Sequence, residues 1–278
     1  MDGRMPWNAQ GDYAEALRIF KPAADQMNIY AQFQLGYMYE FGRGVPQDYA
    51  EAVRWYRLAA EQGDASAQNN LGNMYSLGRG VPQDYAEAVK WYRLAAEQGY
   101  AKGQVNLGVA YEYGQGVLQD YAEAVKWYRL AAEQGAALAQ ANLGFMYNVG
   151  QGVQQDYAEA VRWYRLAAEQ GNANAQNNLG LMYAKGEGVL QDYVEAAKWY
   201  RLSAEQGAAN AQFNLGVGYF EGWGVAQDYV QAHMWFNLAA AQGNADAVGN
   251  RDITAKKMTP AQIAEAQKLA REWIAAHP

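Results

Sequence analysis

The sequence predicts an all-α solenoid of 36-residue helix pairs, and three observations carry that prediction. The stretch Asp84–Gly99 returns almost word for word at Asp48–Gly63, Asp120–Gly135, Asp156–Gly171 and Asp192–Gly207, with a looser copy at Asp228–Gly243, so its first residue recurs every 36 positions. A constant period of that size marks stacked supersecondary units rather than one enlarging core. On both sides of a Gly-x-Gly break, apolar residues fall at helical spacing.

Taken in order, Asp12–Phe20 opens in phase with the later copies and predicts a lone second-type helix, which Pro22 is expected to kink or shorten. Residues 1–11 are too short for a partner helix and read as a frayed cap, so residues 1–27 form an N-terminal cap and lone helix. Residues 28–243 hold six full pairs, for which 64–99 serves as the type. Asp64 caps a first helix whose Ala67, Leu71, Met74 and Tyr75 make one stripe. Gly78-Arg79-Gly80-Val81-Pro82 breaks the chain, and Asp84 with Glu87 has the spacing of a capping box. Ala88, Val89, Tyr92, Ala95 and Ala96 form the buried stripe of the second helix, with Trp91 at its edge and Gly99 as its C-terminal stop. Gly72 recurs at 36, 108, 144, 180 and 216 inside every first helix. Glycine there costs about 1 kcal/mol relative to alanine, so its repetition implies a helix contact too close for a Cβ.

Residues 244–278 leave the pattern and read as C-terminal capping helices. Asn244–Lys257 is one more first-type helix. Thr259, Pro260 and Gln262 then open a last helix at N-cap, N1 and N3. Its predicted apolar stripe is Ile263, Ala266, Ala270, Trp273 and Ile274.

The pattern Ala67…Leu71-Gly72-x-x-Tyr75…Gly78-x-Gly80-Val81…Asp84-Tyr85…Ala88…Trp91-Tyr92…Ala95-Ala96…Gly99 resembles the Sel1-like repeat, a cousin of the tetratricopeptide repeat, over about Asp12 to Gly243. The tetratricopeptide repeat shares Leu-Gly-x-x-Tyr but lacks the 36-residue step and the glycine loop. The resemblance implies a right-handed α/α superhelix with first helices lining its concave side. It also implies a non-enzymatic scaffold or adaptor that binds a protein or an extended peptide. Family members are often exported bacterial proteins, so a periplasmic or secreted location is expected in preference to a cytoplasmic one. Met1–Trp7 holds no apolar signal-peptide core. A cysteine-rich branch of the family is linked to penicillin binding and β-lactamase activity. This chain has no cysteine, and that activity is not carried over.

Composition narrows the partner. Half of the 278 residues are apolar (51%) and the net charge is −7, which supports a packed core and offers no basic stripe for nucleic acid. The absence of cysteine removes disulfides and thiolate metal sites. No apolar run approaches the length of a membrane helix. Neither cofactor nor metal is expected, and the chain is expected to be monomeric.

The copies differ from one another mainly at four slots of the first helix. The slot of Tyr30 holds Ser66, Lys102, Leu138, Asn174 and Asn210, and that of Phe33 holds Asn69, Val105, Ala141, Asn177 and Phe213. The slot of Tyr37 holds Asn73, Val109, Phe145, Leu181 and Val217; that of Phe41 holds Leu77, Tyr113, Val149, Lys185 and Glu221. Offsets of 3, 4 and 4 place the four slots on one side of the helix. The partner-binding residues expected from this stripe are Tyr30, Phe33, Tyr37, Phe41, Asn69, Asn73, Val105, Val109, Tyr113, Phe145, Asn177, Leu181, Phe213 and Val217. Their aromatics would anchor apolar side chains, and their asparagines would bond peptide amides. Drift after recent duplication explains the same variability without a ligand. An envelope-associated peptidoglycan- or β-lactam-binding protein, and a purely structural or engineered array, stay open as alternatives.

Other candidates have plainer explanations. Asp84 and Glu87 are helix-capping residues rather than an acid–base pair. His233 is read at the slot of Lys90, an exposed position, far in sequence from His277, and the two do not make a metal site. Ser66, Ser76 and Ser203 lack an activating arrangement. The Gly-x-Gly loops lack the strand and Lys-Ser/Thr of a phosphate loop and read as connectors. Trp223, in the slot of Arg43 and Arg79, is either packed against the C-terminal helix or part of a contact site.

Overall fold

The computed structural model describes residues 10–277, with side-chain surroundings from Tyr13 onward, and places fifteen helices and no strand among them. The frayed cap expected at the N-terminus lies outside the described residues up to residue 9. α1 runs from Gln10 to Asp25, straight through Pro22 and longer than the 13-residue helices of the pairs that follow it, so the proline does not shorten it. Pro22 lies in its last turn, where little helix remains to be disrupted.

The first helices of the pairs are α2 (Ile29–Phe41), α4 (Ala65–Leu77), α6 (Ala101–Tyr113), α8 (Ala137–Val149), α10 (Ala173–Lys185), α12 (Ala209–Glu221) and α14 (Ala245–Ala255). The second helices are α3 (Tyr49–Glu61), α5 (Tyr85–Glu97), α7 (Tyr121–Glu133), α9 (Tyr157–Glu169), α11 (Tyr193–Glu205) and α13 (Tyr229–Ala241), and the chain ends in α15 (Pro260–Ala276). It divides into two compact units, one ending at Ala136 and the other beginning at Ala137. Consecutive helices pack side by side from α1 to α7 in the first unit and from α8 to α14 in the second, and first helices also touch one another: α4 meets α6, α8 meets α10 and α12 meets α14. Second helices of successive pairs make sparser contact, so the first helices line the tighter side of the stack in each unit.

The glycine slot shows why the pairs close so tightly. A Cβ built on Gly72 falls 2.6 Å from Cε1 of Tyr92, and one on Gly180 falls 2.7 Å from the Tyr200 ring. Gly36, Gly108, Gly144 and Gly216 face Tyr56, Tyr128, Tyr164 and Phe236 in the same way. One ring per pair therefore sits against a first-helix backbone. The second loop glycine is equally constrained. Gly80 sits at φ +72, and a Cβ there would meet the carbonyl oxygen of Tyr49 at 2.2 Å. The loop of one pair thus rests on the start of the preceding second helix.

A buried glutamine in each first helix from α2 to α12 fastens the pairs together, a feature the apolar pattern does not reveal. Gln68, 4% exposed, donates from Nε2 to the Ala60 carbonyl at 3.1 Å and accepts from Gln98 Nε2 at 2.7 Å. Gln104 does the same with Ala96 and Gln134, and Gln176 with Ala168 and Gln206. The amide thus joins the C-terminal ends of two successive second helices while leaving no buried polar atom of its own unpaired. Its signal in the sequence is a polar residue that never varies between copies.

Two local expectations need correction. Asp84 caps α5 by accepting from Glu87 N–H at 2.9 Å, but the Asp84 N–H is taken by the Tyr75 carbonyl. Glu87 turns instead to Lys90 and to Trp91 Nε1, so the capping box is half formed. Thr259 and Gln262 of α15 do form the reciprocal box. In α15, Ala266 and Ala270 are buried and Leu269 and Trp273 are partly buried, whereas Ile274 is 51% exposed and leaves the predicted stripe. α15 packs on α13, with Trp273 edge-on to Trp235 at 6.3 Å.

Candidate functional site

The four variable slots of the first helices do not share one environment. The slots of Tyr30 and Phe41 form two exposed edges: Tyr30 is 57% exposed, Phe41 50%, Leu77 57% and Tyr113 64%. Between them the slot of Tyr37 is half-buried in Tyr37, Asn73, Val109, Leu181 and Val217, and exposed in Phe145. Tyr37 packs on Phe41 at 4.6 Å with the Arg43 guanidinium over its ring.

The slot of Phe33 lies beneath this surface. Asn69, Val105 and Asn177 are buried, which removes them from the predicted contact residues. The cause is the ring that fills the glycine notch. Phe33 packs on Tyr56 at 5.8 Å and Phe213 on Phe236 at 5.7 Å, so this slot points at the second helix and not outward. Nor are the two asparagine amides free for a peptide. Asn69 Oδ1 accepts from Asn106 at 2.8 Å, and Asn177 Oδ1 accepts from Asn214 at 3.0 Å, each bond linking neighbouring first helices. Phe33 and Phe213 remain half-buried.

A polar seam runs along the same side where the ring hydroxyls emerge. Tyr56 donates to Glu40 at 2.7 Å, Tyr92 to Asn73 at 2.8 Å, and Tyr128 to Glu112. Burial pushes the Tyr92 phenol up to about 12 and, with the nearby Glu40 carboxylate, drives Tyr56 far above its ordinary range. Burial also raises Glu40 despite the hydrogen bond from Tyr56. The Tyr56 and Tyr92 phenols therefore stay protonated donors across the physiological range.

Two shallow cavities open onto the stripe at equivalent places, one in each unit. One, of about 190 Å³, is lined by Asn73, Leu77, Tyr92 and Val109 among others; the other, of about 220 Å³, by Lys185, Tyr200, Val217 and Trp223 among others. Trp223 stacks on Tyr193 at 5.2 Å and 24° and is 47% exposed, so it packs on α11 at the cavity mouth and not on α15. Arg79 covers Tyr49 in the corresponding way.

His233 is not at an exposed position. It is in register with Val53 and Val89, one residue before the slot of Lys90, which Met234 occupies. The imidazole is 4% exposed, with Nδ1 unpaired, and burial together with Arg251 lowers its pKa. Among the described residues no group of His, Asp or Glu is placed to hold a metal. No helix among them is long and apolar enough to cross a membrane.

Stacked helix pairs with an invariant packing side and a variable exposed side define a helical-repeat solenoid. The Sel1 repeat profile matches residues 3–26, 29–64, 65–100, 101–135, 137–172, 173–207 and 209–244, and the chain belongs to the Sel1 repeat family. Its repeats are of the kind that generally mediate protein interactions, on a fold that is typically a non-catalytic scaffold. The chain is similar to the crystal structure of a Sel1 repeat protein from Oxalobacter formigenes, 39% identical over 82% of this chain and 92% of that one, with a TM-score of 0.75. It also aligns with c5321, a protective antigen present in uropathogenic Escherichia coli strains. That match is 32% identical and covers 95% of this chain and 88% of the other, with a TM-score of 0.44. Comparison with curated proteins finds no match.

Proposed function

We propose that the chain is a binding scaffold that holds a partner protein, or an extended peptide of it, along the exposed side of its first helices. One observation carries this reading. The slots of Tyr30, Tyr37 and Phe41 vary from copy to copy and reach the surface, while the ring, glycine and glutamine slots beneath them repeat and are buried. Packing constrains the second set and leaves the first to a ligand. Exposed aromatic rings at Tyr30, Phe41, Tyr113 and Phe145 are the kind of surface that supplies most of the energy in a protein contact.

The test uses residues whose replacement spares the core. Phe213 and Tyr37 are poor choices because Phe236, Phe41 and Arg43 pack on them. Phe41, Tyr113 and Phe145 are exposed, at 50%, 64% and 42%, and replacing Phe41 gives up its ring contact with the half-buried Tyr37. The variant carrying Asp at all three is expected to keep its helical content and unfolding midpoint. Against a partner identified by affinity capture from the native source, it is expected to bind at least about tenfold more weakly, since loss of a few anchors exceeds 1.4 kcal/mol. Undiminished affinity in a folded variant would refute the assignment.

A further inference from the structure

The buried methionine slot of the first helices is filled in four pairs and vacated in two. Met38, Met74, Met146 and Met182 are all at or below 2% exposure, but the third pair has Ala110 and the sixth has Gly218 in register with them. The two cavities lie at these two residues. The larger is widened again by Ala197, which stands where Val53, Val89, Val125 and Val161 stand in other pairs. Gly218 also differs from the glycines that face a ring. A Cβ on it would meet only the Trp223 carbonyl oxygen at 3.3 Å and Val225 at 3.9 Å, so no close helix contact calls for it.

The same cavity holds a ring hydroxyl stripped of its acceptors. Tyr200 is 7% exposed, and its pair offers Ala184 where Tyr56 and Tyr128 find Glu40 and Glu112, and Leu181 where Tyr92 finds Asn73. Its hydroxyl opens to the cavity, where an incoming carbonyl can replace water as its acceptor. Trp223, stacked on Tyr193, adds an exposed aromatic wall at the mouth.

We propose that the notch between Ala197 and Gly218 is a side-chain pocket for one aromatic residue of an extended peptide, whose main-chain carbonyl accepts from the Tyr200 hydroxyl. This rests on the scaffold reading above and names what one position of the stripe selects. Size supports the occupant: a cavity of about 150 Å³ takes a benzene ring, and this one measures about 220 Å³ and opens to solvent. An aromatic ring there gains from stacking against Trp223 as well as from burial.

N-acetyl-phenylalanine amide and N-acetyl-alanine amide serve as probes in an NMR titration of the full chain. The phenylalanine probe is expected to saturate with a dissociation constant on the order of 1 mM, as a ligand of that size allows. The alanine probe is expected to bind at least about tenfold more weakly. Gly218→Met restores the residue of the other pairs and should abolish binding without loss of stability. Ala197→Val, which narrows the same cavity, should weaken it if Gly218→Met proves unstable. Tyr200→Phe should weaken it roughly threefold to tenfold. Ala110→Met, far along the chain, should leave it unchanged. Equal binding of both probes, or undiminished binding to folded Gly218→Met or Ala197→Val, would overturn the proposal. The stripe variant at Phe41, Tyr113 and Phe145 leaves this pocket intact. Loss of partner binding with retained probe binding, or the reverse, therefore separates failure of the scaffold reading from failure of the pocket.

Discussion

Gly72→Val is expected to lower the unfolding free energy by roughly 2–3 kcal/mol, the cost of overpacking a well-filled contact. The Cβ would fall 2.6 Å and 2.7 Å from the Tyr92 ring and 3.2 Å from the Ala88 carbonyl oxygen. Tyr92 has little room to retreat, being 6% exposed with its hydroxyl bound to Asn73. Gly72→Ala should cost less, because about 1 kcal/mol of recovered helix propensity offsets part of the clash. Gly99→Ala is the control: φ is +83 and nothing lies within 4 Å, so only left-handed strain of about 1–2 kcal/mol is expected. Denaturant unfolding separates the three, and a Gly72→Val chain as stable as the wild type would show that the ring-in-notch contact does not hold the pairs together.

The second large effect concerns α15. Truncation after Met258 is expected to cost roughly 3–5 kcal/mol, from re-exposing large apolar side chains at 1.5–3 kcal/mol each with allowance for residual burial in the unfolded chain. The repeats supply their own comparison. Leu58, Leu94, Leu130, Leu166 and Leu202 occupy one slot of the second helices and are 37–45% exposed, whereas Leu238 in the same slot is 3% exposed. α13 also carries Met234 and Trp235 at 6% and 7% exposure, and Trp273 of α15 packs on Trp235. α15 thus lies as a lid over these side chains of α13, through Leu269, Ala270 and Trp273. The truncated chain should unfold at lower denaturant and bind a hydrophobic dye. An unchanged midpoint would show that α15 does not serve as the lid.

How legible these features were in the sequence depended on how often each was repeated and on which neighbours it met. The helix pairs, the glycine notch and the buried stripe from Ala88 to Ala96 were readable because the same spacing occurs in every copy. The Phe33 slot was misjudged because a helical wheel shows which side a residue takes but not which partner waits there. Asn69 and Asn177 meet the next first helix and are consumed by it. His233 was misplaced by one residue, which on a helix is a turn of about 100° and enough to exchange an exposed site for a buried one. The glutamine fasteners went unread because an unvarying polar residue carries no weight in a pattern built from apolar ones. The cavity at Gly218 needed coordinates, since only they show that no ring fills that glycine's space.

The recognition stripe is tested most directly by hydroxyl-radical footprinting of the chain alone and bound to its captured partner. Binding along the first helices predicts protection of Tyr30, Phe41, Leu77, Tyr113 and Phe145, with Leu58, Leu94, Leu130 and Leu166 on the second helices unchanged. Protection of the leucine row with the first-helix aromatics still reactive would contradict it.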